Sequence, residues 1–156
     1  MIAHSREIAI TQSNKWKDSG NTIVFTNGCY DLMHPGHIDL LSKAKSKGDK
    51  LIVGLNSDRS VKQLKGNDRP IQNFDDRLII LDAINCVDMV VGFDEDTPDK
   101  IIKELLPDVL VKGGDYSINS VVGADTVKSH GGSVEIIDLI PGKSTSSLID
   151  QIIKLK

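Results

Sequence analysis

The chain has 156 residues, enough for one domain with a real core. Its composition of 39% hydrophobic but only 4% aromatic residues points to an aliphatic core, and the formal net charge of -3 argues against a general nucleic-acid binder, which carries a basic excess. Two cysteines, Cys29 and Cys86, build no disulfide framework, the start "MIAHSREIAI" lacks the form of a signal peptide, and no apolar run reaches a membrane span; a cytosolic protein without membrane partners is expected.

In chain order, residues 1–20 read as a helical lead-in, with the lone Trp16 either covering a sheet or serving dimer contacts. Five short β-branched runs follow: "TIVFT" (22–26), "KLIVGL" (50–55), "DMVVG" (88–92), "DVLVKG" (108–113) and "SVEIID" (133–138). Each is apolar nearly throughout, as in strands buried on both faces of a parallel sheet. Helix-like runs alternate with them. "GHIDLLSKAKSKG" sets Ile38, Leu41 and Ala44 on one face. "FDDRLIILDAIN" sets Leu78, Leu81 and Ile84 at helical spacing. "TPDKIIKELLP" offers Thr97 as N-cap and Pro98 at the first helical position, and Pro107 ends it. "NSVVGADTVKSHGG" and "STSSLIDQIIKLK" supply the last two. The expected fold is α/β, a Rossmann-like open parallel sheet of five strands with helices on both faces, in a single domain. Ligands of such folds bind beyond the carboxyl ends of the strands, where strand order reverses.

The loop after the first run is the densest in chemistry. "FTNGCYDLMHPGHIDLL" (25–41) holds two of the four histidines, His34 and His37, around Pro35-Gly36. Thr26, Asn27 and Gly28 occupy the strand-to-helix turn that commonly carries phosphates in α/β folds. The histidines fall at the following helix N-terminus, a poor place for a cation unless an anion joins it. Two imidazoles beside free amides suit a polyphosphate and can stabilise charge developing in phosphoryl transfer. By residue type alone, Cys29, His34, His37 and Asp31 also read as zinc ligands, although the paired Cys-x-x-Cys spacing is absent.

Other loops carry further candidates. "NSDRSVKQLKGNDRP" (56–70) reads as a basic loop presenting Lys62, Lys65 and Arg69. Arg77 lies on a helix and reads as a structural ion pair or a site residue. In "GFDEDTP" (92–98), Asp94 or Glu95 either binds sugar hydroxyls or leaves the capping of the next helix to Asp96 or Thr97. "VKGGDY" (111–116) would by itself be a turn. In "PGKSTSSLI" (141–149), Lys143 precedes Ser144, Thr145 and Ser146; one hydroxyl is explained by N-capping, and three suggest a second phosphate-holding helix start.

His34-Pro35-Gly36-His37 resembles the H-x-G-H signature of the nucleotidyltransferase superfamily. The longer strings "FTNGCYDLMHPGH", "VGLNSDRSVKQLKGNDRPI", "LLPDVLVKGGDY" and "GKSTSSLI" look closer to one branch, the adenylyltransferases of ADP-heptose synthesis. That branch often reads S-T-T where this chain has S-T-S, which keeps the hydroxyl. The resemblance implies AMP transfer from ATP, with Mg²⁺, to a heptose 1-phosphate, and a homodimer. It implies His34, His37 and Lys65 at the reacting groups. ATP would be met by Thr26, Asn27, Gly28, Lys112, Gly114, Asp115, Lys143 and Ser144 to Ser146. The sugar phosphate would be met by Lys65 and Arg69, with Cys29, Asp31, Asp94 and Glu95 around it. A CTP-dependent enzyme for glycerol 3-phosphate or phosphoethanolamine would share the same motifs.

Overall fold

The structure is a computed structural model, and it describes residues 1–114 and 117–155. Six parallel strands form one sheet: β1 (Ile2–Ala3), β2 (Ile23–Gly28), β3 (Lys50–Asn56), β4 (Met89–Phe93), β5 (Val109–Gly113) and β6 (Ser133–Ile137), in the order β1-β4-β3-β2-β5-β6. The helices are α1 (Arg6–Asp18), α2 (Pro35–Lys45), α3 (Asp58–Lys65), α4 (Phe74–Asp82), α5 (Asp99–Leu105), α6 (Ala124–Ser129) and α7 (Thr145–Ile153). The sheet thus has six strands rather than the expected five. The extra edge strand lies inside the stretch read as helical lead-in and pairs Ile2 with Val90 and Ala3 with Val91. From β2 the chain runs outward through β3 to β4, then crosses to the other side of β2 for β5 and β6. Strand order therefore reverses between β2 and β5, and the loops leaving them diverge to open a crevice.

Alternation along each strand divides the core into two layers. Ile23, Phe25, Ile52, Met89, Val91 and Leu110 face one side with Ala9, Ile101, Ile102, Leu105 and Val127 from α1, α5 and α6. Val24, Leu51, Val53, Leu55, Val90 and Val111 face the other with Leu40, Leu41 and Ala44 of α2 and Leu78 and Leu81 of α4. Each of the larger of these buried side chains, Val, Leu, Ile, Met or Phe, contributes about 1.5–3 kcal/mol. Trp16 packs on the first layer, with the Lys50 ammonium 5.4 Å from its ring centre. Lys17 donates to the Leu105 and Leu106 carbonyls at 2.7 and 2.6 Å, which caps α5 and docks α1 on it.

Three local expectations need correction. Ile38 is exposed; Leu40 joins Leu41 and Ala44 on the buried face, because α2 starts at Pro35 and its apolar stripe is centred one residue earlier in each turn. The "NSDRSVKQLKG" loop is largely helix α3: Ser57 caps it by accepting from the Ser60 amide at 3.1 Å, and Val61 anchors its buried side. Helix α5 is capped by Pro98 rather than Thr97, and neither Asp96 nor Thr97 caps it with a side chain. Ile84 lies just past α4, half-buried against the same layer.

Candidate active site

His34 is the N-cap of α2, in extended backbone at φ -146° and ψ 166°, and its ring makes no capping bond. Pro35, at the first helical position, has no N–H to leave unsatisfied. The His37 amide donates to the His34 carbonyl at 2.9 Å. Gly36 leaves room for the His34 ring: a Cβ there would lie 3.0 Å from His34 Cε1 and Nδ1, tighter than ordinary contact. The two imidazoles can therefore stack, ring centres 3.8 Å apart and planes 25° from parallel, with the Tyr30 ring 5.1 Å from His37.

This packing decides the charge. Burial, then the neighbouring His34, pushes His37 from its ordinary 6.5 down to about 4. Burial, then the Lys143 ammonium, holds His34 below its usual value. Both rings are neutral at pH 7. Both Nδ1 atoms are buried with no hydrogen-bond partner among the described residues. A lone pair is tolerated there more readily than an orphaned N–H. The Nε2–H tautomer follows, and Nε2 is the nitrogen each ring offers to a ligand. The pair is built as two neutral donors rather than two cations.

A cleft of about 550 Å³ opens over these rings at the carboxyl ends of the strands. On one side stands the start of α7. Ser144 caps α7 by accepting from the Ser147 amide at 3.1 Å, and Thr145 Oγ1 donates to the Leu32 carbonyl at 3.2 Å. Lys143 Cβ comes within 3.5 Å of the space above Gly36, so the starts of α7 and α2 abut. Ser144 keeps its hydroxyl proton for a ligand, and the Ser146 hydroxyl makes no hydrogen bond among the described residues. Behind the rings, Asn27 and Gly28 end β2, and Lys112 Nζ lies 3.5 Å from Asn27 Oδ1. Burial lowers the Lys112 pKa, the Cys29 sulfur opposes that shift, and the Lys65 charge adds to it. A Cβ on Gly28 would press 3.0 Å from the Tyr30 ring. The Gly114 amide is spent on the Ile137 carbonyl at 3.1 Å, which removes it as a donor to a base. Asp115 lies outside the described residues.

On the other side Lys65 ends α3 and Arg69 follows it, both lining the cleft. Asp31, 1% exposed, takes the Arg69 Nε at 2.6 Å and the Ile71 and Gln72 amides at 2.8 and 2.9 Å. Burial would raise its pKa; the Gln72 and Ile71 amides and then Arg69 outweigh that and hold the carboxyl below its ordinary range. Arg77 is fully buried and clips three segments: it donates to the Cys29 carbonyl at 2.6 Å, the Gln72 carbonyl at 3.1 Å and Asp58 at 2.8 Å. Of its two readings, the structural ion pair is the one the geometry shows.

Several expected contacts sit elsewhere. Thr26 is fully buried and does not line the cleft. Asp94 is engaged by Ser57 and Arg59, and Glu95 by Arg6, so the cleft takes Asp96 and Thr97 from that loop instead. Asp94 and Glu95 are held away from the cleft lining by pairing to Arg59 and Arg6, contacts that leave no trace in local sequence. Asn56, at the end of β3, also lines the cleft and donates to Ser60 at 2.9 Å. Cys29 lines the cleft as a thiol whose pKa burial pushes up. The zinc alternative finds no support, since no three His, Cys, Asp or Glu side chains among the described residues are placed to hold a metal ion. No helix of the described residues is long and apolar enough to cross a membrane.

Comparison with known proteins bears on this arrangement. The chain is 54% identical over 145 residues to the bifunctional protein HldE of Azorhizobium caulinodans, covering 93% of this chain and 30% of that protein. Over 134 residues it is 54% identical to HldE of Syntrophotalea carbinolica, covering 86% of this chain and 27% of the relative. The chain thus spans less than a third of the length of these curated relatives. Among solved structures, the lipopolysaccharide core biosynthesis protein of Thermoplasma volcanium superposes with a TM-score of 0.60 at 26% identity, over 78% of this chain and 98% of that one. Residues 25–147, from within β2 through the start of α7, match the cytidylyltransferase-like family, and the chain belongs to that family of nucleotidyltransferases.

Proposed function

We propose that the protein transfers AMP from ATP to D-glycero-β-D-manno-heptose 1-phosphate, giving ADP-heptose and pyrophosphate. One observation carries the reading: two separate cationic sets flank a single stacked histidine pair, Lys143 with the α7 start on one side and Lys65 with Arg69 on the other. A reaction joining two phosphorylated substrates needs two such grips. The branch resemblance of the cleft loops supports heptose as the acceptor. The name of the Thermoplasma relative supports a place in surface-glycan supply.

Adenylyl transfer asks the protein for position and charge rather than covalent chemistry. An acceptor phosphate oxygen attacks the α-phosphorus, and the bond from that phosphorus to the bridging oxygen breaks as pyrophosphate leaves. His34 and His37 donate from Nε2 to ATP phosphate oxygens and to the charge that grows there. Lys143, Ser144 and Ser146 hold the departing phosphates, and the Asn27–Gly28 backbone and Lys112 border the reaction centre. Lys65 and Arg69 hold the acceptor's phosphate. Mg²⁺ accompanying ATP would supply charge neutralisation on the phosphates. The enzyme would work in the cytosol, where ATP is available, and as a homodimer; a monomer mass by light scattering overturns the dimer.

The test is pyrophosphate release with Mg²⁺, crossing ATP, CTP, GTP and UTP against heptose 1-phosphate, glycerol 3-phosphate and phosphoethanolamine. Release confined to ATP with the heptose phosphate is the expected result. Release with CTP and a small alcohol phosphate would keep the histidine roles and overturn the substrate.

A further inference from the structure

The loop carrying the histidines and the loop following α3 are wired together by one buried carboxylate. Asp31 is three residues before His34, and both its oxygens are spent on the 69–72 segment. It binds Arg69 through Nε alone. The terminal nitrogens Nη1 and Nη2 of Arg69 make no hydrogen bond to any described residue, and the side chain, 14% exposed, lines the cleft near Lys65 and Cys29. A guanidinium gripped at Nε has its rotation fixed and its outer edge free. That outer edge is the two-pronged donor that matches two oxygens of one phosphate.

We propose that Arg69 is the fork that grips the acceptor's phosphate, and that Asp31 is the positioning residue that aims it. Lys65 then supplies charge from the end of α3, while Arg69 sets orientation. Because Asp31 sits on the histidine loop, the acceptor grip is held in register with the groups on the ATP phosphates. Arg77, bound to the Cys29 and Gln72 carbonyls, braces the same two loops. Asp31 does not touch the acceptor; it acts through Arg69. The inference rests on the two-grip reading above and not on which acceptor is used.

The first arm needs no turnover. With the donor site filled by a non-hydrolysable ATP analogue and Mg²⁺, inorganic phosphate is titrated calorimetrically into the wild type, Arg69→Lys, Arg69→Ala and Asp31→Asn. Phosphate affinity should fall tenfold or more in all three, with analogue affinity within about twofold of wild type. Equal phosphate affinity in Arg69→Ala and wild type overturns the fork. The second arm is the double variant Asp31→Asn/Arg69→Ala. If Asp31 acts through Arg69, it binds phosphate no more weakly than Arg69→Ala alone; additive losses overturn the positioning role. Arg69→Lys keeps the charge and covers the case in which Asp31→Asn fails to fold. In turnover, the KM for the acceptor should rise in Arg69→Lys while that for ATP stays. A wild type that binds phosphate through Arg69 but rejects heptose 1-phosphate refutes the heptose reading and leaves this inference standing.

Discussion

Helix α2 buries Gly36, Leu40, Leu41 and Ala44, whereas α7 buries none of its residues. Both helices point their amino ends into the same cleft. The first is fixed by core packing, by the stacked rings and by a neighbouring loop that Asp31 and Arg77 brace. The second is joined to that loop by one side-chain hydrogen bond among the described residues, from Thr145 to the Leu32 carbonyl. The difference fits the proposed chemistry. Groups that act on the charge developing at the α-phosphorus must be preorganised. Groups that hold the departing pyrophosphate must also let go of it, and a lightly docked helix does so at lower cost.

The sharpest way to break this contrast is to truncate the histidines. His34→Ala and His37→Ala should each lower kcat by roughly a hundred- to a thousandfold, the scale of one lost transition-state donor, with urea unfolding midpoints near wild type. Near-wild-type turnover in either would remove the preorganised side of the comparison. Next comes the brace. Arg77→Met leaves the Cys29 and Gln72 carbonyls and Asp58 without their donor. It should cost on the order of 3 kcal/mol in urea denaturation; a loss below 1 kcal/mol would show that the loops hold themselves.

Acidity probes the same side. His37 titrates near 4 when folded and at its ordinary 6.5 when unfolded. Between those values the unfolded chain binds the extra proton, so the stability tied to neutral His37 is complete above pH 6.5 and is lost as pH falls toward 4. His34, also lowered, acts in the same direction. His37→Asn should flatten the fall in unfolding free energy between pH 7 and 4.5; an unchanged slope would mean that the ring is not buried as described. The smallest effect belongs to α7. Thr145→Val should raise the KM for ATP about threefold, the scale of one neutral hydrogen bond, and leave acceptor KM unchanged. A large drop in kcat instead would make α7 part of the rigid half.

The sequence shows the central strands and the histidine loop because those features are local. Alternation of β-branched runs with helical runs follows from the two-sided sheet, and Pro35 and Gly36 are fixed by contacts within one turn. Strand β1 is missed because two residues, Ile2 and Ala3, carry no periodicity; they are a strand only through pairing with Val90 and Val91. Helix α3 is missed because its run "DRSVKQLK" is polar, and its helix is secured by the Ser57 cap and the bond from Arg77 to Asp58. The roles of Asp31 and Arg77 stay open in the sequence because their partners lie 38 to 48 positions away. Asp94 and Glu95 are ambiguous for the same reason, since the arginines that engage them lie on α3 and α1.

Trp16 is the single tryptophan, and it packs on the sheet beside Lys50, the first residue of β3. The cleft lies at the other ends of the strands. The tryptophan emission of this protein, unlike that of Tyr30 in the cleft, is therefore expected to report folding rather than bound nucleotide. Unfolding curves of the site variants can be followed by emission with substrates present, without correction for quenching by the purine ring.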